Sequence, residues 1–474
     1  MTLASRRICG GCGAIVDAVA MSPTCPNVGD GGDHVLLREL DGSRLPFDLR
    51  GDPAWQDRPF LRWRHRLHAW HLAAARGWSD DAFIALVCRL EEAIARIDRR
   101  FVVTPLVRAD DLSAMLTREA PIFIKDETGH VAGSHKARHL FGTLLALEVL
   151  GIDKTQPLAI ASCGNAAVAA AVLANASERP LTVFVPTDAE RVVVRRLVAL
   201  GAKVVTCERR AGVPGDPTVH ALRESLAHGA LSFSCQGTDN GLAIEGGETL
   251  GWELANQLAE QGDRVDRVFI QVGGGALGSA VARGLLQARD EGLMAAIPKI
   301  HAVQVRQVAP LSRAYEHLAA RLVGTVGFDE LEPGGGSRRE MHAFASRRAD
   351  RLRRGFTNPS FQAVMDDAVR HRSDYMWSWE AMGPSVAHGI RDDETYDWWA
   401  LTRAMLETGG YPIVVDEAEI VAAHALGTNT TSIRADETGT ASLAGLLDLA
   451  LCGALPSTQS CLVLFTGQSH TISP

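Results

Sequence analysis

The residue with the clearest chemical potential is Lys136, in the segment GSHKAR of residues 133–138. A lysine amine forms a Schiff base with an aldehyde cofactor when its surroundings lower the amine pKa. The alternative is an ordinary surface lysine with no role in chemistry. The chain is poor in lysine, so only five residues compete for this role: Lys125, Lys136, Lys154, Lys203 and Lys299. Lys136 is the candidate attachment point, because it follows a predicted strand and begins a predicted helix, where sites in α/β sheets are found.

A second candidate site is the glycine-rich turn at residues 273–277, which follows a predicted strand at 267–272 and precedes a predicted helix. Glycines let the backbone approach an anion, and successive N–H groups at a helix start can bind a phosphate group. Two alternatives stay open. The glycines could be purely structural, or residues 273–278 could be the GxGxxG loop of a nicotinamide-dependent oxidoreductase. Against the latter, no acidic residue ends the next predicted strand, at 300–305.

Four residues near the N-terminus have the types and spacing of a metal site. Cys9 and Cys12 flank two glycines, and Cys25 and His34 follow them. Thiolates at this spacing can bind one tetrahedral metal, and three cysteines with one histidine complete a closed zinc site. Because a second CxxC pair is missing, a metal-free turn is the alternative. With zinc bound, the site would be structural and would hold a segment too small to fold alone.

The composition excludes several classes of protein. The 474 residues carry a formal net charge of -8, which argues against a nucleic-acid-binding surface. No apolar run reaches the length of a membrane span, and residues 1–7 contain no signal-peptide core. The nine scattered cysteines indicate reduced thiols rather than a disulfide framework. We therefore expect a cytoplasmic protein with no nucleic-acid or membrane partner.

Strands alternate with helices from about residue 104 onwards, which predicts an α/β fold with parallel, doubly wound sheets. We predict a small α/β domain at 146–234, inserted into a large cofactor-binding domain formed by residues 104–145 and 235–474. The final predicted strand, 461–465, is followed by few residues, so we expect no regulatory module after it.

The remaining segments are less typical of a core. Residues 1–50 are predicted as a Cys-rich zinc knuckle that contains Cys9, Cys12 and Cys25. Residues 51–103 are predicted as a helical extension with one helix around 61–71 and another around 83–97. Residues 310–375 have the least regular pattern. Their arginine-rich stretch at 338–354 predicts a solvated helix with loops, or a mobile lid.

Four motifs occur in an order typical of one superfamily. Residues 133–138 resemble a Ser-x-Lys-x-Arg lysine segment, 162–165 a Ser-x-Gly-Asn loop, 273–277 a phosphate loop and 466–467 a closing Thr-Gly. From about residue 104, the chain therefore resembles the fold-type-II pyridoxal phosphate enzymes of the tryptophan synthase β superfamily, and most of all the threonine synthase and threonine dehydratase branch. The resemblance implies two doubly wound αβα domains with pyridoxal 5'-phosphate between them.

The resemblance also implies roles for the matching residues. Lys136 is the expected catalytic residue, which holds the cofactor and removes the substrate α-proton. Asn165 is expected to contact the phenolic oxygen of the ring, and Thr466 the pyridine nitrogen. The expected phosphate contacts are Gly273, Gly274, Gly275, Ala276 and Leu277. The expected substrate contacts are Ser162, Cys163, Gly164, Ser134 and His135, although His135 stands where phenylalanine is common.

A neutral partner for the pyridine nitrogen goes, in this superfamily, with elimination or replacement rather than transamination. We therefore expect a lyase or synthase that acts at the β or γ carbon of serine, threonine or an O-phosphorylated analogue, as threonine synthase does. The alternatives are a threonine or serine dehydratase, a cysteine- or cysteate-synthase-like β-replacement, and a non-catalytic regulatory protein on this fold. We also expect a homodimer that acts on a small amino acid.

Overall fold

The computed structural model describes residues 4–17, 22–209, 213 and 215–468. The N-terminal segment is a small antiparallel sheet with strand order β2-β1-β3. Its strands are β1 (Ser5–Cys9), β2 (Ile15–Val16) and β3 (Leu36–Leu40). A tight turn joins β1 to β2, in which the Gly13 N–H donates to the Cys9 carbonyl at 2.9 Å and Gly13 has a φ of 72°.

The next segment is helical, as predicted, and consists of α1 (Pro59–Arg62), α2 (His68–Ala75) and α3 (Asp80–Ala95). The prediction of a helix around residues 83–97 is confirmed by α3, which begins where the Ser79 hydroxyl accepts from the Ala82 N–H. The prediction of one helix around residues 61–71 is wrong. Leu67 has extended dihedrals and separates a single 3-10 turn, Arg64–Arg66, from α2.

The chain then contributes the first part of the large sheet. The elements are β4 (Leu106–Arg108), α4 (Asp110–Met115), β5 (Ile122–Asp126) and α5 (Lys136–Leu150). Strand β5 is almost fully buried and begins with three apolar residues, Ile122 to Ile124, which is typical of a strand covered on both faces. Helix α5 ends at Gly151, which adopts the left-handed conformation that glycine tolerates best.

A smaller parallel sheet follows, with strand order β8-β7-β6-β9. Its elements are β6 (Leu158–Ala161), α6 (Asn165–Ala176), β7 (Leu181–Pro186), α7 (Arg191–Ala199), β8 (Lys203–Cys207), α8 (Pro217–Ala227) and β9 (Leu231–Ser232). All four strands come from the range predicted for the small domain, and the domain bounds themselves stay a prediction.

The rest of the chain completes the large sheet, whose order is β12-β11-β10-β13-β5-β4. The elements are α9 (Leu242–Gln261), β10 (Arg267–Gln271), α10 (Ala276–Asp290), β11 (Lys299–Val305), α11 (Pro310–Val326), α12 (Arg338–Gly355), α13 (Pro359–Arg370), α14 (Trp398–Thr408), β12 (Ile413–Val415), α15 (Glu417–Thr430), α16 (Glu437–Leu451) and β13 (Cys461–Phe465). Neighbouring strands are parallel except for the edge pair β4 and β5. The predicted α/β fold is thus confirmed.

Residues 310–375 are more regular than expected. Three helices, α11 to α13, occupy most of this range, and Leu318, Leu352 and Phe361 from the three helices belong to one buried apolar cluster with the large sheet. The predicted helix over the arginine-rich stretch is confirmed by α12, in which only Phe344, Ala349 and Leu352 are buried, whereas most of the rest of the range is helical rather than looped. The mobile lid stays a prediction. The many arginines on the exposed faces of α12 made its few buried apolar positions hard to recognise in the sequence. Across the described residues, no helix combines the length and apolar character needed to cross a membrane.

Candidate active site

The predicted site segments all follow the carboxyl ends of parallel strands. Strands β10, β13 and β5 are parallel neighbours, so the segments after them open onto one edge of the large sheet. Lys136 begins α5 after β5, residues 273–277 follow β10, and Thr466 follows β13. The loop 162–165 follows β6 of the small sheet. Ligands bind at such strand ends in open α/β folds.

Among the five lysines, Lys136 is the one whose charge reaches this edge. It is half-buried, and its positive charge partly offsets the burial that raises the pKa values of two carboxyl groups in the cleft, Asp392 and Asp397. Lys125 is fully buried elsewhere, and its Nζ atom donates to Glu253, to the Thr104 carbonyl and to Gln257 at 2.5–2.8 Å. The other three lysines lie at or near the surface. This placement favours Lys136 for imine chemistry.

The segment after β13 joins the lysine loop to the small-sheet loop. Ser134 and Gly467 form a β-bridge, and the Gln468 N–H donates to the Gly133 carbonyl at 3.0 Å. A Cβ atom on Gly467 would lie 2.9 Å from Nδ2 of Asn165, so glycine permits this close approach. The lysine loop, Asn165 and the Thr466-Gly467 pair, which are widely separated in sequence, therefore meet.

The Thr466 side chain is a neutral hydroxyl that can donate a hydrogen bond. Thr466 is buried, and its Oγ1 atom accepts a hydrogen bond from Nε2 of Gln271 at 2.7 Å. Because a hydroxyl can accept and donate at once, its own proton remains available for an acceptor such as a pyridine nitrogen. Gln271 was not predicted as a site residue, although it ends the strand that leads into the glycine turn.

The glycine turn has the form of an anion cradle. Gly275 has a φ of 101° and precedes the first residue of α10, Ala276. Within the described part of the chain, the N–H groups of Ala276 and Leu277 donate to no acceptor. Such N–H groups at a helix start bind phosphate well. Together with an amine, an amide and a neutral hydroxyl, this donor set fits pyridoxal 5'-phosphate.

Acidic residues line the cradle, and the sequence reasoning missed them. The Gly274 N–H donates to Oδ2 of Asp392 at 2.8 Å, and a Cβ atom on Gly273 would lie 2.1 Å from the same oxygen. Burial raises the pKa of Asp392 to about 6, and that of Asp397 to about 8. The run Asp-Asp-Glu at 392–394 was the available signal.

The residues predicted to contact substrate lie around the same cleft. Ser162 directly follows β6, and its N–H donates to the Phe184 carbonyl at 3.1 Å. Cys163 is a thiol at neutral pH, because burial, reinforced by Asp188 and Asp392, raises its pKa to about 11. His135 is buried, and burial followed by the Lys136 charge lowers its pKa well below the ordinary value, so its ring is neutral.

A buried ionic network supports the lysine helix, and the sequence did not reveal it. Arg138, two residues after Lys136, lies between Glu127 and Glu253, and its nitrogens are 2.9–3.2 Å from their carboxylate oxygens. Lys125 also contacts Glu253, and all four side chains have no exposed surface. The network fixes the first turn of α5 against α9 and the end of β5.

The four predicted metal ligands come together at the N-terminal sheet. The donor atoms of Cys9, Cys12, Cys25 and His34 all lie within 4.8 Å of one another. The Cys9 Sγ to His34 Nδ1 distance is 3.5 Å and the Cys12 Sγ to Cys25 Sγ distance is 3.6 Å. A zinc ion with bonds of about 2.3 Å has tetrahedral edges of about 3.7 Å, so the spacing fits zinc. The His34 Nε2 atom lies 2.6 Å from Asp30, which orients the ring.

Two α/β sheets with a lysine, a glycine cradle and a buried hydroxyl at their strand ends define the fold-type-II class of pyridoxal phosphate enzymes. The chain belongs to the family described as "Pyridoxal-phosphate dependent enzyme", which matches residues 97–370, more than half of the sequence. The predicted resemblance is thus confirmed. The matched range includes the lysine segment and the glycine cradle, and ends before Thr466.

Individual relatives match only part of the chain. A serine dehydratase-like protein of Rattus norvegicus is 32% identical over 185 residues, which cover 39% of this chain and 52% of the relative. Threonine synthase of Methanocaldococcus jannaschii is 25% identical over 223 residues, 46% of this chain and 52% of the relative. The chain therefore spans about half the length of these curated relatives.

Solved structures extend the similarity of fold. The processed form of threonine deaminase isoform 2 from Solanum lycopersicum superposes with a TM-score of 0.55 at 18% identity, and covers 82% of this chain and 85% of that protein. This similarity concerns the fold, and it reaches well beyond the segment shared with the relatives by sequence.

Proposed function

We propose that this protein is a pyridoxal phosphate-dependent lyase or synthase that eliminates or replaces a group at the β or γ carbon of an amino acid. The supporting observation is the meeting of Lys136, Asn165 and Thr466 beside the glycine cradle. Thr466 is a neutral hydroxyl rather than a carboxylate. A neutral partner keeps the ring nitrogen uncharged, which in this superfamily goes with elimination and replacement.

Each residue then has a distinct task. The bound cofactor supplies an electron sink for the electrons released at the substrate α-carbon. Lys136 holds the cofactor and, once released, accepts the α-proton on its Nζ atom. The N–H groups of Ala276 and Leu277 hold the phosphate group, and the Thr466 hydroxyl donates to the ring nitrogen. The loop at 162–165 binds the substrate carboxylate through its N–H groups and the Ser162 hydroxyl.

The cofactor assignment is tested by the colour of the purified protein. We expect a yellow protein whose visible absorption is bleached by borohydride, which then leaves pyridoxyl on Lys136 detectable by peptide mass spectrometry. Lys136→Ala abolishes the absorption and turnover while the far-UV circular dichroism is retained. Lys154→Ala is the matched control, since Lys154 lies at the surface with a 43% exposed side chain. A colourless wild-type protein that takes up no pyridoxal phosphate refutes the proposal.

The reaction is tested by product release. Serine, threonine, O-phosphoserine and O-phosphohomoserine are incubated with the yellow protein, and keto acid, ammonia and phosphate are measured. Keto acid with ammonia indicates the dehydratase alternative. Phosphate release without keto acid indicates threonine-synthase-like replacement. Retained colour with no reaction on any amino acid favours the regulatory alternative.

We also propose a structural zinc ion on Cys9, Cys12, Cys25 and His34, supported by their mutual spacing. Metal analysis is expected to give about one zinc per chain in the wild type. Cys12→Ser is expected to lose it, whereas Cys207→Ser, at a half-buried cysteine outside the cluster, retains it. A wild-type protein purified without chelators that contains no zinc contradicts this proposal. The expected homodimer and cytoplasmic location stay predictions.

A further inference from the structure

A cavity of about 220 Å³ lies beside the cradle, and the proposed catalysis does not use it. One wall is α8 of the small sheet, with Asp216 at its start, and the other is the segment that carries Asp393, Glu394 and Tyr396. The cavity thus lies between elements of the two sheets. His220 and Arg223 of α8 are the basic side chains on its lining.

The cavity is adjacent to the cofactor cradle. The Tyr396 ring forms the partition, since a Cβ atom on Gly274 would lie 3.1 Å from the Cδ2 atom of Tyr396. The charge of Asp216 also reaches Cys163 in the predicted substrate loop and Asp392 on the cradle, and raises the pKa of both. A substrate attached near Lys136 can therefore extend its side chain toward this space.

The charge around the cavity is strongly negative. Burial raises the pKa of the Tyr396 hydroxyl well above its ordinary value. Four nearby carboxylates raise this pKa further: Asp216, Asp392, Asp393 and Glu394. Glu394 is paired with Arg372 at 2.7 Å, and the Asp216 carboxylate caps α8. In contrast, Asp393 forms no ion pair with any basic side chain in the described ranges, although only 9% of it is exposed.

A polar group in the same place lacks a partner. Tyr396 is 8% exposed, and its hydroxyl forms no hydrogen bond with any described residue. Tyr396 itself lines the cavity, together with Asp216, Asp393 and Glu394, three of the four carboxylates that raise its pKa. The hydroxyl oxygen is not fully enclosed by protein and opens onto the cavity, so a ligand or water there can serve as its partner. This observation is independent of the acidic cluster and indicates a ligand site.

We propose that this cavity binds a positively charged group on the side chain of the substrate, so that the enzyme prefers an amino acid with a second ammonium group. The inference rests on the proposed function, because it assumes a substrate attached at Lys136. A side-chain ammonium supplies the missing cation for Asp393 and a hydrogen bond to the Tyr396 oxygen. A phosphorylated side chain would instead be repelled by the carboxylates, so O-phosphoserine and O-phosphohomoserine are poor substrates.

The test compares three amino acids of similar length on the pyridoxal phosphate-loaded protein: L-2,4-diaminobutyrate, L-homoserine and L-aspartate, which end in an ammonium, a hydroxyl and a carboxylate. The change in the cofactor spectrum gives each dissociation constant. We expect diaminobutyrate to bind at least about tenfold more tightly than homoserine, and aspartate more weakly than both. Raising the salt concentration reduces the preference, because it screens the charges.

Variants connect the preference to the cavity. Asp393→Asn is expected to reduce the diaminobutyrate-to-homoserine preference to below about threefold. Tyr396→Phe, which keeps the ring that packs on the cradle, reduces it less. Asp374→Asn is the matched control, because Asp374 is exposed and lies outside the cavity lining, and it keeps the full preference.

The outcomes separate this inference from the proposed function. A protein that shows no lysine-bound cofactor spectrum refutes the proposed function, and the inference with it. A normal spectrum with equal or tighter binding of homoserine overturns the inference alone. An unchanged preference in both Asp393→Asn and Tyr396→Phe also overturns it, because the selectivity then arises elsewhere.

Discussion

The buried network around Arg138 gives a prediction whose size follows from its geometry. Arg138 and Lys125 are the two positive charges, Glu127 and Glu253 the two negative ones, and none has exposed surface. Arg138→Met keeps much of the side-chain volume but leaves one buried negative charge unpaired. Removing one partner of a buried ion pair costs about 3–5 kcal/mol. We therefore expect the free energy of unfolding to fall by about this amount.

Urea denaturation of the cofactor-free protein measures the loss. With a denaturant slope of about 3 kcal/mol per M, the midpoint is expected to fall by about 1–1.7 M. The double variant Arg138→Met/Glu127→Gln is the decisive comparison, since it removes the unpaired charge. It is expected to be more stable than Arg138→Met alone by at least about 1 kcal/mol.

The pH dependence provides a second check on the network. Burial raises the pKa of Glu253, but Arg138 and Lys125 outweigh burial and hold this pKa below its ordinary value. The stability that comes from ionised Glu253 is thus present at neutral pH and is lost as the pH falls through the lowered pKa. Arg138→Met should therefore cost less at acidic pH than at pH 8. The reasoning is refuted if Arg138→Met costs under about 1 kcal/mol at pH 8, or if Glu127→Gln fails to compensate.

Three further perturbations test other parts of the molecule. Gly275→Ala forces alanine to a φ of 101°. Thermal melting should show a destabilisation of about 1–3 kcal/mol, and cofactor titration should show weaker pyridoxal phosphate binding. Asp392→Asn should tighten pyridoxal phosphate binding at pH 8 but not at pH 5, because the pKa of about 6 leaves Asp392 charged only at the higher pH; equal effects at both pH values contradict this. Burial raises the pKa of Glu91 to about 7 from an ordinary 4.5, so the free energy of unfolding should fall as the pH rises from 4.5 to 7. In Glu91→Gln, the urea midpoint should change less with pH over this range.

The parts of the fold that the sequence predicted are those set by local pattern. Strand β13 has the predicted bounds, because it is a short apolar run between turn residues. The helix predicted around residues 61–71 failed for a tertiary reason. Arg64 pairs with Asp52 and Asp80, and these contacts, together with the extended Leu67, interrupt the helical pattern of apolar residues.

The same distinction holds at the site. Lys136 and residues 273–277 were found because each lies within one strand-to-helix segment with a recognisable motif. Asp392 and Asp397 were missed, because they approach Gly274 and Gly275 across more than 100 residues of sequence. No spacing rule connects them, and only the order of strands in the large sheet brings them together.

The position of β13 also has a consequence for how the protein is made. This strand lies between β10 and β5, and Cys461 pairs with Ile122, which a ribosome adds 339 residues earlier. At about 5–20 residues per second, β5 waits roughly 20–70 s for its neighbour. The small sheet, whose strands lie close together in sequence, can form in the meantime. The large sheet has two unpaired inner edges over that interval, and nascent chains are most exposed to aggregation and most dependent on chaperones at that stage.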